Sequence, residues 1–113
     1  YTFVTTLRDV LEAAARLGKA VWVLDRPNPI GRPVEGLLLK SGWESFVGAG
    51  PMPMRHGRTL GELGAWLVQH LKLDLEYVQV AMDGWRPAQS PGYGWPTGER
   101  AWVNPSPNAP SVS

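Results

Sequence analysis

Residues Val21 to Gly36 read VWVLDRPNPIGRPVEG, an apolar run that breaks into a loop dense in Pro, Gly and polar side chains. An apolar run without polar alternation predicts a strand buried on both faces, as in a parallel sheet. In open α/β sheets, ligands sit beyond the carboxyl ends of the strands. That rule puts Asp25, Arg26, Asn28 and Glu35 where such a fold does its chemistry. Pro27, Pro29 and Pro33 remove backbone donors and fix φ, so residues 26–33 form a loop that is ordered in advance.

Working outward, Leu7, Val10, Leu11, Ala14 and Leu17 share one face at helical spacing. This predicts a helix over Thr5–Leu17, with Thr6 as N-cap and Gly18 just past its end. Tyr1–Val4 reads as the tail of a preceding strand. Helix, tight turn and buried strand are half of a βαβ unit. Downstream, Val34–Leu39 is either a further strand or a packed apolar segment. Ser41–Gly50 reads as irregular, with Trp43, Phe46 and Val47 anchored inward. Pro51–Arg58, PMPMRHGR, is a second ordered loop. Thr59-Leu60-Gly61-Glu62 matches the capping box that opens a helix. Leu60, Leu63, Leu67, Val68 and Leu71 give the buried face of that helix. Gly61 and Gly64 either weaken it or permit close packing. Tyr77–Met82 reads as a strand, and Asp83-Gly84-Trp85 leaves its carboxyl end. Residues 86–110 are rich in Pro, Gly and Ser like a linker, yet Tyr93, Trp95 and Trp102 are spaced through them. They read as an ordered loop wrapping the site, with Ser111–Ser113 as a frayed tail.

The 113 residues allow one domain with a real core. Lys+Arg is 11 and Asp+Glu is 10, which gives no electrostatic ground for a nucleic acid or an anionic membrane as partner. No apolar run approaches the ~20 residues of a membrane-spanning helix. Cys is absent, so disulfides, zinc–thiolate sites and thiol nucleophiles are excluded. Six Trp serve either as core or as sugar-facing platforms.

Two carboxylates facing one pocket, Asp25 and Glu35, match the acid and base or nucleophile of glycoside hydrolysis. Equally, Asp25 holds Arg26 or caps loop N–H groups, and Glu35 pairs with an Arg. Arg55-His56-Gly57-Arg58 precedes a helix N-terminus, a place suited to an anion, or it is a solvated turn closed by His56. Asn28, Asn104 and Asn108 stand in Pro-bracketed positions that favour Asx-turns or present an amide to sugar hydroxyls. Ser106 has no acid–His set. His56 and His70 lack metal-ligand spacing, and no Gly-rich phosphate fingerprint follows a strand. No cofactor and no metal is expected.

VLDRPNPIG, VEG, SFVG, PMPMRHGRTLGEL, MDGW, TG, WV and PSPNAP stand in the order and spacing of the NamZ-type exo-β-N-acetylmuramidases, which the chain resembles from Tyr1 to Pro110. The family was long a bacterial domain of unknown function. The resemblance implies an α/β fold, a partial Rossmann-like sheet with flanking helices and a long C-terminal loop region. It implies that residues 1–110 are the second half of a Rossmann-like catalytic domain. The first half, with a Gly-Pro-Glu-His-Gly-type motif whose Glu is expected to be catalytic, is not in this chain, and neither is the smaller C-terminal domain. The implied reaction is removal of N-acetylmuramic acid from non-reducing ends of peptidoglycan fragments, in a secreted or periplasmic setting. Within this chain Glu35 and Asp25, the two carboxylates around the Pro-rich loop, are the candidate catalytic residues. Arg26, Asn28, Arg55, His56, Trp85 and Asn108 are candidate substrate-binding residues, with Arg55 and His56 on the lactyl carboxylate of muramic acid. The chain departs from the family pattern at Gly31-Arg32, at Pro87–Pro91 and at Ala109. The alternatives are a non-catalytic cell-wall sugar-binding module and an inactive truncated product.

Overall fold

In the computed structural model, which describes residues 2–28 and 31–83, the first helix starts earlier than the sequence reading places it. Helix α1 spans Thr2–Arg16. Val4 and Leu7 extend the stripe of buried Leu11 and Ala14 by a turn, so Thr2–Val4 are helix and not the end of a strand. Thr6, expected as N-cap, lies inside the helix, and Val10 and Leu17 face solvent. The helix stops at Gly18, whose φ of 60° suits a left-handed position. Lys19 N–H donates to Ala14 O at 2.9 Å and Gly18 N–H to Ala15 O at 3.3 Å, the paired bonds of a Schellman end.

The remaining elements are β1 (Val21–Leu24), β2 (Glu35–Leu38), β3 (Pro53–Arg55), α2 (Leu60–His70) and β4 (Tyr77–Val80). β1 and β4 pair in parallel, Val21 opposite Tyr77 and Leu24 opposite Val80. Parallel neighbours need a crossover, and this one carries the Pro-rich loop, β2, β3 and α2. β2 and β3 form an antiparallel ribbon, Glu35 opposite Arg55 and Leu38 opposite Pro53, with an irregular register between. PMPMRHGR is therefore partly strand rather than loop alone. Its pairing partners, Glu35 for Arg55 and Leu38 for Pro53, lie far upstream, beyond the reach of local pattern.

Helix α2 packs on α1, β1 and β4. Leu63 and Leu67 meet Leu11, Ala14 and Val23 in the buried core. The buried stripe of α2 is narrower than its leucines predict, because Leu60 faces out and Val68 and Leu71 are only half-buried. Gly61 and Gly64 make the close approach possible. A Cβ on Gly61 would stand 2.8 Å from Asp25 Cγ, and one on Gly64 would stand 2.9 Å from Tyr77 Cζ. Their purpose is packing.

The opposite face of the parallel pair is open. Trp22 is 64% and Leu24 67% exposed, so the strand is buried on one face only, the face to which Val23 points. Helix α2 covers one side of the sheet and α1 packs on α2, and among the described residues nothing covers the other side. Trp43, Phe46 and Val47, expected inward, are also exposed. Their segment is held by its backbone instead: Phe46 O accepts from Thr5 Oγ1 at 2.7 Å and Ala49 O from Arg8 Nη1 at 2.8 Å. Among the described residues no helix is long and apolar enough to cross a membrane. Trp85, Asn108 and the expected wrap over 86–110 lie outside the described residues.

Overpacking a tight helix–strand contact costs about 1–3 kcal/mol. Gly64→Ala should therefore lower unfolding stability in urea by about 2 kcal/mol. In a Tyr77→Phe background, where the facing hydroxyl is gone, at least half of that loss should disappear. An unchanged loss in that background would place the clash elsewhere.

Candidate functional site

β1 delivers Asp25 to its carboxyl end, where the chain turns into the Pro-rich loop. The side chain is 1% exposed. Its Oδ1 accepts from the N–H groups of Arg26 at 2.9 Å and Gly61 at 2.8 Å. Its Oδ2 accepts from Thr59 Oγ1 at 2.7 Å and Gln79 Nε2 at 2.7 Å. These donors come from the loop, the first turn of α2, its N-cap and β4. Thr59 serves twice, because its Oγ1 also accepts from Glu62 N–H at 3.2 Å while Thr59 N–H donates to Glu62 Oε2 at 3.0 Å. This is the capping box that the sequence predicts. Leu63 N–H donates to Thr59 O at 2.9 Å. The position that the sequence reading offers to a ligand anion, the N-terminus of this helix, is thus filled by the protein's own Asp25.

The loops on either side are tied together. Asn28 Nδ2 donates to Arg58 O at 3.0 Å, and Asn28 O accepts from Gly31 N–H at 2.9 Å. His56 Nδ1 accepts from Arg58 N–H at 3.1 Å, closing its turn. Arg26 Nη1 donates to its neighbour's carbonyl, Asp25 O, at 2.6 Å. Asp25, Arg26, Asn28 and His56 are therefore gathered along one seam. Glu35 stands apart from it, exposed at the start of β2 and paired with Arg55 Nη1 at 3.0 Å.

Other residues shape the site without having been singled out in the sequence. Arg32 forks onto Glu62, Nη1 to Oε2 at 2.6 Å and Nη2 to Oε1 at 2.8 Å, and Nη1 also donates to Gly57 O at 3.1 Å. This bidentate pair is a strong charge-assisted contact. It holds the Glu62 carboxyl below the usual range and raises the Arg32 guanidinium above its own. No local signal in the sequence marks Arg32 as a partner of Glu62, 30 residues away. Tyr77 donates to Gly61 O at 2.7 Å, and burial, with Asp25 nearby, pushes its phenol up to about 12. An open cleft of about 590 Å³ runs along the outer side of α2, lined among others by Arg32, His56, Arg58, Glu62, Trp66 and Gln79. Among the described residues no group of three or more His, Asp or Glu is placed to hold a metal.

Compared with known proteins, residues 1–113 match the family described as exo-beta-N-acetylmuramidase NamZ, N-terminal. The chain is 36% identical over 113 residues to the peptidoglycan beta-N-acetylmuramidase NamZ of Bacillus subtilis (strain 168), covering 99% of this chain and 26% of that relative. A crystal structure of a DUF1343 family protein from Bacteroides fragilis NCTC 9343 is similar with TM-score 0.72 and 37% identity, over 79% of this chain and 24% of that one. A second such protein from the same organism gives TM-score 0.66 and 32% identity, over 71% of this chain and 24% of that one. The chain spans about a quarter of the length of these relatives.

Desolvation, with the Arg58 charge nearby, pushes the His56 imidazole below its ordinary 6.5. A His held below its unfolded value binds fewer protons folded than unfolded. Its contribution to stability is complete above 6.5 and is lost as pH falls through the folded value. A proton NMR titration of the His56 ring should give a midpoint under 6.5 that rises in Arg58→Gln. A midpoint at or above 6.5 contradicts this environment.

Proposed function

This chain belongs to the NamZ exo-β-N-acetylmuramidase N-terminal family, and on that premise we propose that it is part of a glycoside hydrolase acting on peptidoglycan fragments. The substrate is a saccharide with N-acetylmuramic acid at its non-reducing end, and the product is the released muramic acid unit. One observation carries this reading. Asp25 fastens a strand end, two Pro- and Gly-bearing loops and a helix N-terminus into a rigid wall beside an open, cationic cleft. Ligands of open α/β sheets are held at such strand ends.

Within that wall, Asp25 has all four acceptor positions occupied and acts as a positioning group. Glu35, exposed at the start of β2 outside that wall and paired with Arg55 at 3.0 Å, takes the candidate acid–base role. Arg26 and Asn28 face the sugar, and the cationic loop at residues 55–58 faces the lactyl carboxylate. Glycoside hydrolysis uses a pair of carboxylates, and the start of β2 offers one that is open to solvent. The second is contributed by the rest of the enzyme. Residues 1–110 are then the C-terminal half of a Rossmann-like catalytic domain and residues 111–113 its tail. The chain alone is expected to bind without turning over.

Release of nitrophenol from nitrophenyl N-acetyl-β-muraminide tests this. The chain alone should be inactive and the longer protein that carries it active. General acid–base participation is worth about 10²–10⁴-fold, so Glu35→Gln in the longer protein should lower kcat at least ~100-fold. A change under ~3-fold would leave Glu35 as no more than an ion-pair partner of Arg55. Inactivity of the longer protein toward the muraminide would remove the muramidase reading itself.

A further inference from the structure

Arg32 and Arg58 line the cleft and Arg55 stands in the same 55–58 loop, and two of these three are already held. Arg32 is forked on Glu62, so the pair adds no net charge. Arg55 is paired with Glu35 at 3.0 Å and does not line the cleft. Arg58 is different. Its N–H donates to His56 Nδ1 at 3.1 Å and its C=O accepts from Asn28 Nδ2 at 3.0 Å, so its backbone is pinned on both sides. Its side chain is exposed, lines the cleft and forms no ion pair among the described residues. A pinned backbone that carries an uncommitted guanidinium is prepared to receive an anion with little ordering left to do. Arg presents a planar fork that matches a carboxylate.

The cleft fits a sugar in other respects. Its volume of about 590 Å³ lies within the range of small-ligand pockets. Gln79 on its wall is fixed by the bond from its Nε2 to Asp25, which leaves its carbonyl oxygen to accept from a hydroxyl or an acetamido N–H. Trp66 is held on one side by stacking with His70, ring centroids 4.7 Å apart and planes within 7°, and contributes a rigid apolar edge.

We propose that Arg58 is the specificity residue of this site, forking onto the lactyl carboxylate of a muramyl sugar whose ring lies along α2 beside Gln79. The inference rests on the muramidase reading and moves anion recognition from Arg55, which Glu35 already holds, to Arg58. N-acetylglucosamine has the same ring and acetamido group without the lactyl ether. Arg58 therefore separates the two sugars by a charge-assisted contact that only one of them makes.

The test is a two-dimensional ¹H–¹⁵N NMR titration of the chain with N-acetylmuramic acid, N-acetylglucosamine and D-lactate, repeated with Arg58→Gln and Arg58→Lys. A dispersed spectrum of each variant is the control on its fold. N-acetylmuramic acid should shift the amides of residues 56–58 and of Gln79, and D-lactate the 56–58 set alone. Loss of a charge-assisted contact is worth about tenfold or more in affinity. Arg58→Gln should therefore weaken N-acetylmuramic acid binding at least ~10-fold and N-acetylglucosamine binding less than ~2-fold. Arg58→Lys, a point charge without the fork, should recover part of the loss. Equal weakening of both sugars, or of neither, overturns the assignment to Arg58. Shifts centred on Glu35 and Arg55 overturn it as well, and leave the muramyl reading standing. No response to either sugar overturns both.

Discussion

Asp25 puts a carboxylate where almost no water reaches it, and the structure around it makes that tolerable. An ionised carboxylate alone in an apolar interior is strongly disfavoured. Here two backbone N–H groups, one hydroxyl and one amide donate to it, all between 2.7 and 2.9 Å, and the N-terminal end of α2 favours the negative charge. The four donors come from three segments, the Pro-rich loop, the start of α2 and β4. Satisfying this one side chain therefore specifies how the end of β1, the Pro-rich loop, the start of α2 and the side of β4 meet. The parallel register of β1 on β4 and the position of α2 over both are consistent with that single point.

The rest of the functional end follows from it. Gly61 must lack a Cβ because Asp25 and Gln79 occupy the space. Thr59 must carry a hydroxyl because it donates to Asp25 and accepts from Glu62 N–H. Glu62, placed by the capping box, is then in position to hold Arg32, which in turn fastens the loop at Gly57. The seam from Asn28 to Arg58 closes the wall of the cleft. By contrast the Glu35–Arg55 pair is largely exposed on the Glu35 side, and such pairs add little to stability. Its interest is chemical. Among the described residues the sheet is covered on one face only, with Trp22 and Leu24 exposed on the other.

Local physics was legible in the sequence and long-range pairing was not. The capping box at Thr59–Glu62, the Gly18 helix end, the β1 strand and the Tyr77 strand follow from short patterns, and the structure has them all. The start of α1 is earlier than its sequence reading because Thr6 looks like a cap, while the Val4–Leu7–Leu11 stripe runs past it. A strand is one of the two readings of Val34–Leu39, and β2 lies there; β3 is hidden because Pro51 and Pro53 read as loop, although the first residue of a strand tolerates Pro. Asp25 was legible as a strand-end carboxylate. Its four partners lie 1, 34, 36 and 54 residues away, and no spacing rule brings them together. That is why one residue reads from sequence as a candidate acid and from structure as a keystone. Arg32 and Gln79 carried no local signal, since each acquires its role only through a partner on α2 or β1.

The account turns on the Asp25 carboxylate as the common acceptor of these segments, and Asp25→Asn addresses it directly. The substitution keeps the volume, removes the charge and turns one acceptor into a donor facing other donors. Leaving buried donors unmatched costs about 1–3 kcal/mol, more where a charge was involved. Urea unfolding followed by Trp fluorescence should show a loss of about 3 kcal/mol, or no folded baseline. A loss below ~0.5 kcal/mol would contradict the claim that this buried carboxylate organises the site.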